Sequence, residues 1–232
     1  MNFKEEVSKY NINLNDSMLN KLEGYFSFLV DYNTHTNLTA ITEKSEVYIK
    51  HFLDSMLLLS SYDVKGKILC DVGAGAGFPS VPCAIVEDTL SVDIVDSLNK
   101  RINFLNELVS KIELNNVKAY HSRAEDWALT KRESYDIVSA RAVARLNMLA
   151  ELCMPLVEVG GVFIAMKSKD YEEELKEAKN AIKTLGGEIL EVKHFDLPYE
   201  YGERNIIIIK KIKECPKKYP RAFAKIKQNP IK

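Results

Sequence analysis

Three glycines at alternate positions, Gly73, Gly75 and Gly77, stand between an apolar run at 67–72 and a helical stretch, within Asp71-Val72-Gly73-Ala74-Gly75-Ala76-Gly77-Phe78-Pro79. Glycine lets the chain turn tightly there and brings peptide groups against a ligand with no Cβ between them. Such a loop after a strand suits the switch point of a doubly wound sheet, where ligands bind beyond the strand C-termini. A tight strand-to-helix turn can demand glycine on its own, so context decides. The next apolar run ends in Asp96-Ser97, 19 residues beyond Gly77. A carboxylate at that place can accept both hydroxyls of a ribose.

The rest of the chain has the rhythm that this loop requires. Apolar runs at 67–72, 91–95, 117–121, 135–139, 161–167, 188–195 and 205–211 are mostly separated by helical stretches. The helix beginning near Asp96 has Ile102, Leu105, Leu108, Val109 and Ile112 as its inner stripe. Another, at 171–185, stops at Gly186-Gly187, which suits a left-handed cap. Strands alternating with helices predict right-handed βαβ units in an α/β fold, a doubly wound, mostly parallel seven-stranded sheet. Ahead of it 2–60 reads as helical. Leu14, Met18, Leu22, Tyr25, Phe26 and Leu29 share one face, 31–39 is turn-like, and a second helix covers 49–59. The expected organisation is a helical N-terminal extension at 1–60, a Rossmann-like domain at 61–212 and a basic tail at 213–232.

A chain of 232 residues can bury one such core with a small addition, but not two large domains. No apolar run approaches the roughly 18 residues that cross a bilayer. Residues 1–10 lack the apolar segment of a secretory signal. Cys70, Cys83, Cys153 and Cys215 form no C-x-x-C pair, so neither a metal knuckle nor a disulfide framework is expected, and a reducing cytoplasm is the simplest home. The formal charge of −1 hides a partition. From Lys210 onward nine Lys and Arg face one acid, Glu214. A basic tail on an acidic body either attracts a polyanion or is a solvated end.

NAD and S-adenosylmethionine are both held by loops of this geometry. NAD sites favour G-x-G-x-x-G, with a helix N-terminus facing pyrophosphate. Here the spacing is G-x-G-x-G, with Pro79 close behind and Asp71 in front, an acid suited to a cationic ligand with an amino-acid end. After the third strand comes Arg123-Ala124-Glu125-Asp126-Trp127, where backbone and acid can receive an adenine amine. S-adenosylmethionine fits better. A nicotinamide-dependent oxidoreductase is the competing reading, disfavoured by the spacing and by the missing Tyr-x-x-x-Lys pattern. A catalytically silent RNA-binding module with this fold is the third.

Further motifs accompany the loop: Asn37-Leu38-Thr39-Ala40, His51-Phe52-Leu53-Asp54-Ser55, Val95-Asp96-Ser97, Lys100-Arg101, Arg123-Ala124-Glu125, Ser139-Ala140-Arg141-Ala142 and Lys218-Tyr219-Pro220-Arg221. Together they resemble the RsmG, or GidB, family of bacterial 16S rRNA guanine-N7 methyltransferases over most of the chain. The resemblance implies a class I methyltransferase fold and methyl transfer from S-adenosylmethionine to N7 of one guanosine in the decoding-region 530 loop. It further implies S-adenosylhomocysteine as product, no metal, and 16S rRNA as partner, either naked or within the 30S subunit or an assembly intermediate. Nothing in the sequence demands more than a monomer. One departure is visible: family tails continue with glycine and proline after Tyr-Pro-Arg, whereas this one runs Ala222-Phe223-Ala224-Lys225.

Guanine N7 attacks with an in-plane lone pair and needs no proton removed, so the expected work is alignment. Ser139-Ala140-Arg141 stands where exocyclic amine chemistry would use Asn/Asp-Pro-Pro-aromatic. Pro82-Cys83 lies within a helix, where packing is the default for the thiol. The cofactor contacts expected are Gly73, Gly75, Gly77, Phe78, Asp96, Ser97, Ala124, Glu125 and Arg141. Arg141 follows a strand end and is also the leading catalytic candidate. Arg145, a turn later, either contacts RNA or pairs with an acid such as Glu151. His51 is either a packing residue or part of the site, with Asp54 orienting its helix. Asn37 and Thr39 either close over the methyl donor or cap the next helix. Lys100, Arg101, Arg123, Lys217, Lys218 and Arg221 are the remaining RNA candidates, and Trp127 is expected in the core.

Overall fold

The structure, a computed structural model, describes residues 2–232. Four helical segments lead: α1 (Phe3–Ser8), α2 (Asp16–Thr36), α3 (Lys44–Val47) and α4 (Asp54–Ser61), the last two joined by a π-helical turn at Tyr48–Leu53. Strands and helices then alternate as β1 (Ile68–Val72), α5 (Ser80–Val86), β2 (Ser91–Asp96), α6 (Asn99–Lys111), β3 (Val117–His121), α7 (Ala124–Thr130) and β4 (Tyr135–Arg141). They continue as α8 (Leu146–Cys153), β5 (Val157–Lys167), α9 (Tyr171–Thr184), β6 (Gly187–Asp196), β7 (Glu203–Lys211) and α10 (Phe223–Gln228).

The seven strands form one sheet in the order β3-β2-β1-β4-β5-β7-β6. β1 to β5 are parallel, and β7 lies antiparallel between β5 and β6. Register sets the site. Val72 pairs with Val95, Asp71 with Ser139, and Arg141 with Met166, so the ends of β1, β2 and β4 share one edge. Because β7 runs backwards, its first residues reach that same edge, with Asn205 opposite Lys167.

Side chains alternate between the two sheet faces, and each face has its own core. On one, Leu69, Ile94 and Ile137 bury Tyr25 and Leu29 of α2, Phe52 and Leu53 of the π turn, Val81 of α5 and Phe104 of α6. On the other, Cys70, Val138 and Phe163 meet Leu149 of α8, Ile182 of α9 and Ile226 of α10. Burying each large apolar side chain contributes about 1.5–3 kcal/mol. The leading helices therefore share the sheet's core.

Four expectations are corrected. α2 runs on through the predicted turn at 31–39 as far as Thr36. Tyr32 packs edge-on to Phe104 at 5.1 Å, and the Thr34 and Thr36 hydroxyls donate to the carbonyls of Asp31 and Tyr32, so the polar run stays helical. It stops at Asn37, in the left-handed region with φ 50°, where Asn33 Oδ1 accepts from the N–H groups of Leu38 and Thr39. The second helical stretch starts at Lys44, earlier than 49. The basic tail is no solvated end: Cys215, Tyr219 and Ile226 are buried. Trp127 in turn is only half-buried, donating through Nε1 to Tyr135 Oη at 3.0 Å.

Candidate functional site

The ends of β1, β2 and β4 open on a cleft of about 460 Å³. Gly75 lines it with φ 62°, and its N–H donates to Asp96 Oδ2 at 3.3 Å. A Cβ there would meet nothing within 4 Å, so the left-handed backbone, not crowding, requires glycine. That open space above a peptide group is where a ligand can approach. Gly73 and Phe78 also line the cleft. Gly77 does not, contrary to expectation. Its missing Cβ makes room inside the protein, 2.7 Å from Val81 Cγ2 and 2.9 Å from Tyr25 Oη. The Tyr25 hydroxyl donates to the Ala76 carbonyl, and its ring stacks on Phe78 at 5.4 Å, so α2 fastens the loop from behind.

Asp71 is likewise redirected. Its carboxylate is fully buried beneath the loop and accepts from the Ser80 N–H at 3.1 Å, away from the cleft lining. Burial pushes its pKa up to about 6, against the hydrogen bonds from Ser80. Asp96 lines the cleft although it is 3% exposed. Besides Gly75 it accepts from the Leu98 N–H at 2.9 Å and from Arg101 Nη1 at 3.0 Å. Arg101, expected on RNA phosphate, is thus engaged by Asp96. Ser97, Ala124 and Glu125 form the far end of the cleft, joined there by Arg123 and by Phe223 from the tail. Glu125 Oε1 accepts from the Phe223 N–H at 3.1 Å.

At the near end the cleft meets a second cavity of about 620 Å³, and His51, Arg141, Ala142 and Val143 line both. Arg141 Nη1 donates to Asp54 Oδ2 at 2.9 Å, while its guanidinium lies 5.0 Å from the Phe78 ring centre. Asp54, buried, uses its other oxygen to accept from Arg204 Nε at 3.0 Å. The carboxylate therefore joins two arginines from different strands. His51 stacks on Phe78 at 4.5 Å, with Nε2 at 2.9 Å from Thr39 Oγ1 and Nδ1 at 3.5 Å from Arg141 Nη2. Nδ1 also lies 3.2 Å from the Lys50 carbonyl, an acceptor that favours the proton on Nδ1, with Nε2 accepting from the Thr39 hydroxyl. Burial, reinforced by the Arg141 charge, pushes the His51 pKa down to about 4. The imidazole is neutral at ordinary pH.

The basic candidates divide. Lys100 donates to the Thr36 carbonyl at 3.0 Å and ties α6 to the end of α2. Arg145 pairs on the surface with Glu177 at 2.7 Å, not with Glu151. Glu151, fully buried, belongs to Arg221, which holds it through Nε at 2.7 Å and Nη2 at 2.6 Å. Arg221 is corrected from an RNA contact to an internal anchor, because a buried carboxylate needs a paired, hydrogen-bonded cation. Arg123, Lys217 and Lys218 remain exposed. Cys83 is buried, its Sγ 3.3 Å from the Ser55 carbonyl, and burial raises its thiol pKa strongly, so it packs.

Sequence reasoning missed Lys167, Arg204 and Phe223. Lys167 lines the second cavity and donates to Glu174 at 2.7 Å and to the Ala144 carbonyl at 2.8 Å. Arg204 was legible in principle: a last strand running antiparallel delivers its first residues to the ligand edge.

The family model for GidB, rRNA small subunit methyltransferase G, matches residues 18–207. The chain is 54% identical to the ribosomal RNA small subunit methyltransferase G of Bacillus cytotoxicus over 94% of this chain and 93% of that one. The protein of the same name from Bacillus licheniformis is 51% identical over 99% of this chain and 97% of its own. Among solved structures, TYW2 of M. jannaschii in complex with AdoMet superposes with a TM-score of 0.56 at 15% identity, over 73% of this chain and 77% of that one. A SAM dependent methyltransferase from Aquifex aeolicus gives 0.56 at 17% identity, over 75% and 97%. At such identities the structures speak for the fold, a class I methyltransferase fold, while the model and the relatives speak for descent. This chain belongs to the rRNA small subunit methyltransferase G family.

Proposed function

We propose that this protein transfers the methyl group of S-adenosylmethionine to N7 of one guanosine in the 530 loop of 16S rRNA, leaving S-adenosylhomocysteine. Family membership supports the RNA, and one observation carries the chemistry. The two cavities meet at Arg141 and at His51, whose imidazole burial and the Arg141 charge push down to a pKa of about 4, well below that of a general base working near neutral pH. A nucleophile that must first lose a proton would be poorly served there. Guanine N7 has no proton to lose.

The residues present fit the cofactor. The open face of Gly75 leaves room for a ligand against the backbone, and Asp96 lies beside it with its carboxylate on the cleft. Asp96 would hold the ribose hydroxyls, and Ala124 and Glu125 the adenine. When bound, the cofactor supplies an electrophilic methyl on a sulfonium. The protein's own work is placement. Phe78 and His51 make an aromatic wall beneath the junction, and Arg141 lies against that wall with its guanidinium tied to Asp54. Its remaining N–H donors suit guanine O6, next to the attacking nitrogen. The target guanine must be unpaired or extruded, because the A-form major groove is too deep and narrow to admit protein side chains. Arg123, Lys217 and Lys218, with Lys100 and Arg145 at the rim, are the proposed phosphate contacts. The proposed setting is cytoplasmic and monomeric, with no metal, and with rRNA presented either naked or within the 30S subunit.

Tritiated S-adenosylmethionine incubated with small-subunit RNA, and separately with 30S subunits, from a strain lacking this modification tests the reading. Label is expected at one guanosine that becomes cleavable by borohydride and aniline. No incorporation into either substrate, or label at another atom, refutes it.

A further inference from the structure

The final segment of the chain has far more fixed contacts than an RNA-binding arm needs. Glu133 Oε1 accepts from the Cys215 N–H at 2.7 Å. Arg132 donates to the carbonyls of Cys215 at 2.7 Å and of Tyr219 at 2.8 Å. Glu151 takes three donors from Arg221, two from the guanidinium and one from its backbone N–H at 3.0 Å. Ile226 is fully buried in the core beside α8. Between those last two anchors, the chain brings Phe223 to the cofactor cleft and its N–H to Glu125. Glu125 itself lines the cleft. The family model ends at residue 207, so this segment lies beyond it.

We propose that the tail is the nucleobase wall of the cofactor cleft: Phe223 covers the adenine held at Glu125, and Arg221, clamped on Glu151, positions it. This deepens the function proposed above and rests on it. The physical case is a half-buried aromatic ring at the end of the cleft where a flat base would lie, fixed by a charge pair that cannot be exchanged for water cheaply. The tail's positive charge then serves the cofactor side first, through Arg221, and leaves Lys217 and Lys218 for solvent or RNA.

Calorimetry on the full chain separates the possibilities, with S-adenosylmethionine and with 5′-methylthioadenosine, which keeps the adenosyl end but lacks the amino-acid end. Phe223→Ala is expected to raise both dissociation constants about ten-fold, the scale of one lost base–aromatic contact. Glu151→Gln with Arg221→Gln removes the charges but keeps a hydrogen-bonding pair, and should weaken cofactor binding in the same direction. Unchanged affinity in Phe223→Ala overturns the proposal. So does a loss confined to S-adenosylmethionine, or a double variant whose only defect is RNA KM. If wild-type protein binds neither compound, the cofactor reading itself fails, a result distinct from any outcome of the variants.

Discussion

The glycine-loop cleft and the cavity beyond Arg141 are built on opposite principles. The cleft comes largely from short contiguous segments at strand ends: the glycine loop after β1, Asp96-Ser97 after β2, Ala124-Glu125 after β3. The second cavity collects Asp54 from the start of α4, Arg141 from β4, Lys167 from β5 and Arg204 from β7, residues up to 150 positions apart whose proximity exists only in the folded sheet. A backbone-lined site can be written as a motif. A site made of charged side chains converging from four elements depends on register, and no local pattern encodes it.

That contrast makes the predictions. Arg141→Ala should act mainly on the second side, lowering kcat by about 10²–10³-fold with a smaller loss of S-adenosylmethionine affinity in calorimetry, because Arg141 lines both cavities. Asp54→Asn, which keeps the shape but loosens the charge clamp on Arg141, should give a weaker version of the same split. Equal losses on both sides would mean that the two cavities act as one.

His51, at the junction, should register in stability. Its folded pKa of about 4 lies below the ordinary 6.5, so protons bind the unfolded chain preferentially between those values. The stabilisation is complete above about pH 6.5 and is lost as pH falls through about 4. Urea unfolding of wild type against His51→Gln should show the difference widening by at most about 3 kcal/mol from pH 4 to 6.5. A gap independent of pH would mean the ring is not held neutral by its surroundings. The smallest effect belongs to the first side: Gly75→Ala forces an L side chain into φ 62°, a strain of about 1–2 kcal/mol, and should weaken cofactor binding about five-fold or more with kcat at saturation kept.

These two constructions also explain what was legible before the structure. Strand rhythm and the glycine loop predicted the parallel sheet, because apolar periodicity and φ > 0 are local properties. Gly77 and Asp71 sat in the right motif but served the interior, since sequence cannot say which side of a loop faces solvent. α2 outran its predicted end because Tyr32 found Phe104, a contact 72 positions away in the chain. The tail was read by its charge and by its Lys218-Tyr219-Pro220-Arg221 motif, and neither shows the carboxylate contacts that fix it, Arg221 on the buried Glu151 and the Phe223 N–H on the half-buried Glu125.

The hydroxyl of Tyr25 resting on the Ala76 carbonyl has a consequence for modularity. A class I methyltransferase sheet is commonly pictured as a portable unit to which substrate-recognition pieces are attached. In this molecule the inner side of the glycine loop is braced by a residue that precedes the first strand by more than forty positions. A transplant of the sheet without α2 would carry the glycine spelling but not the shape it spells.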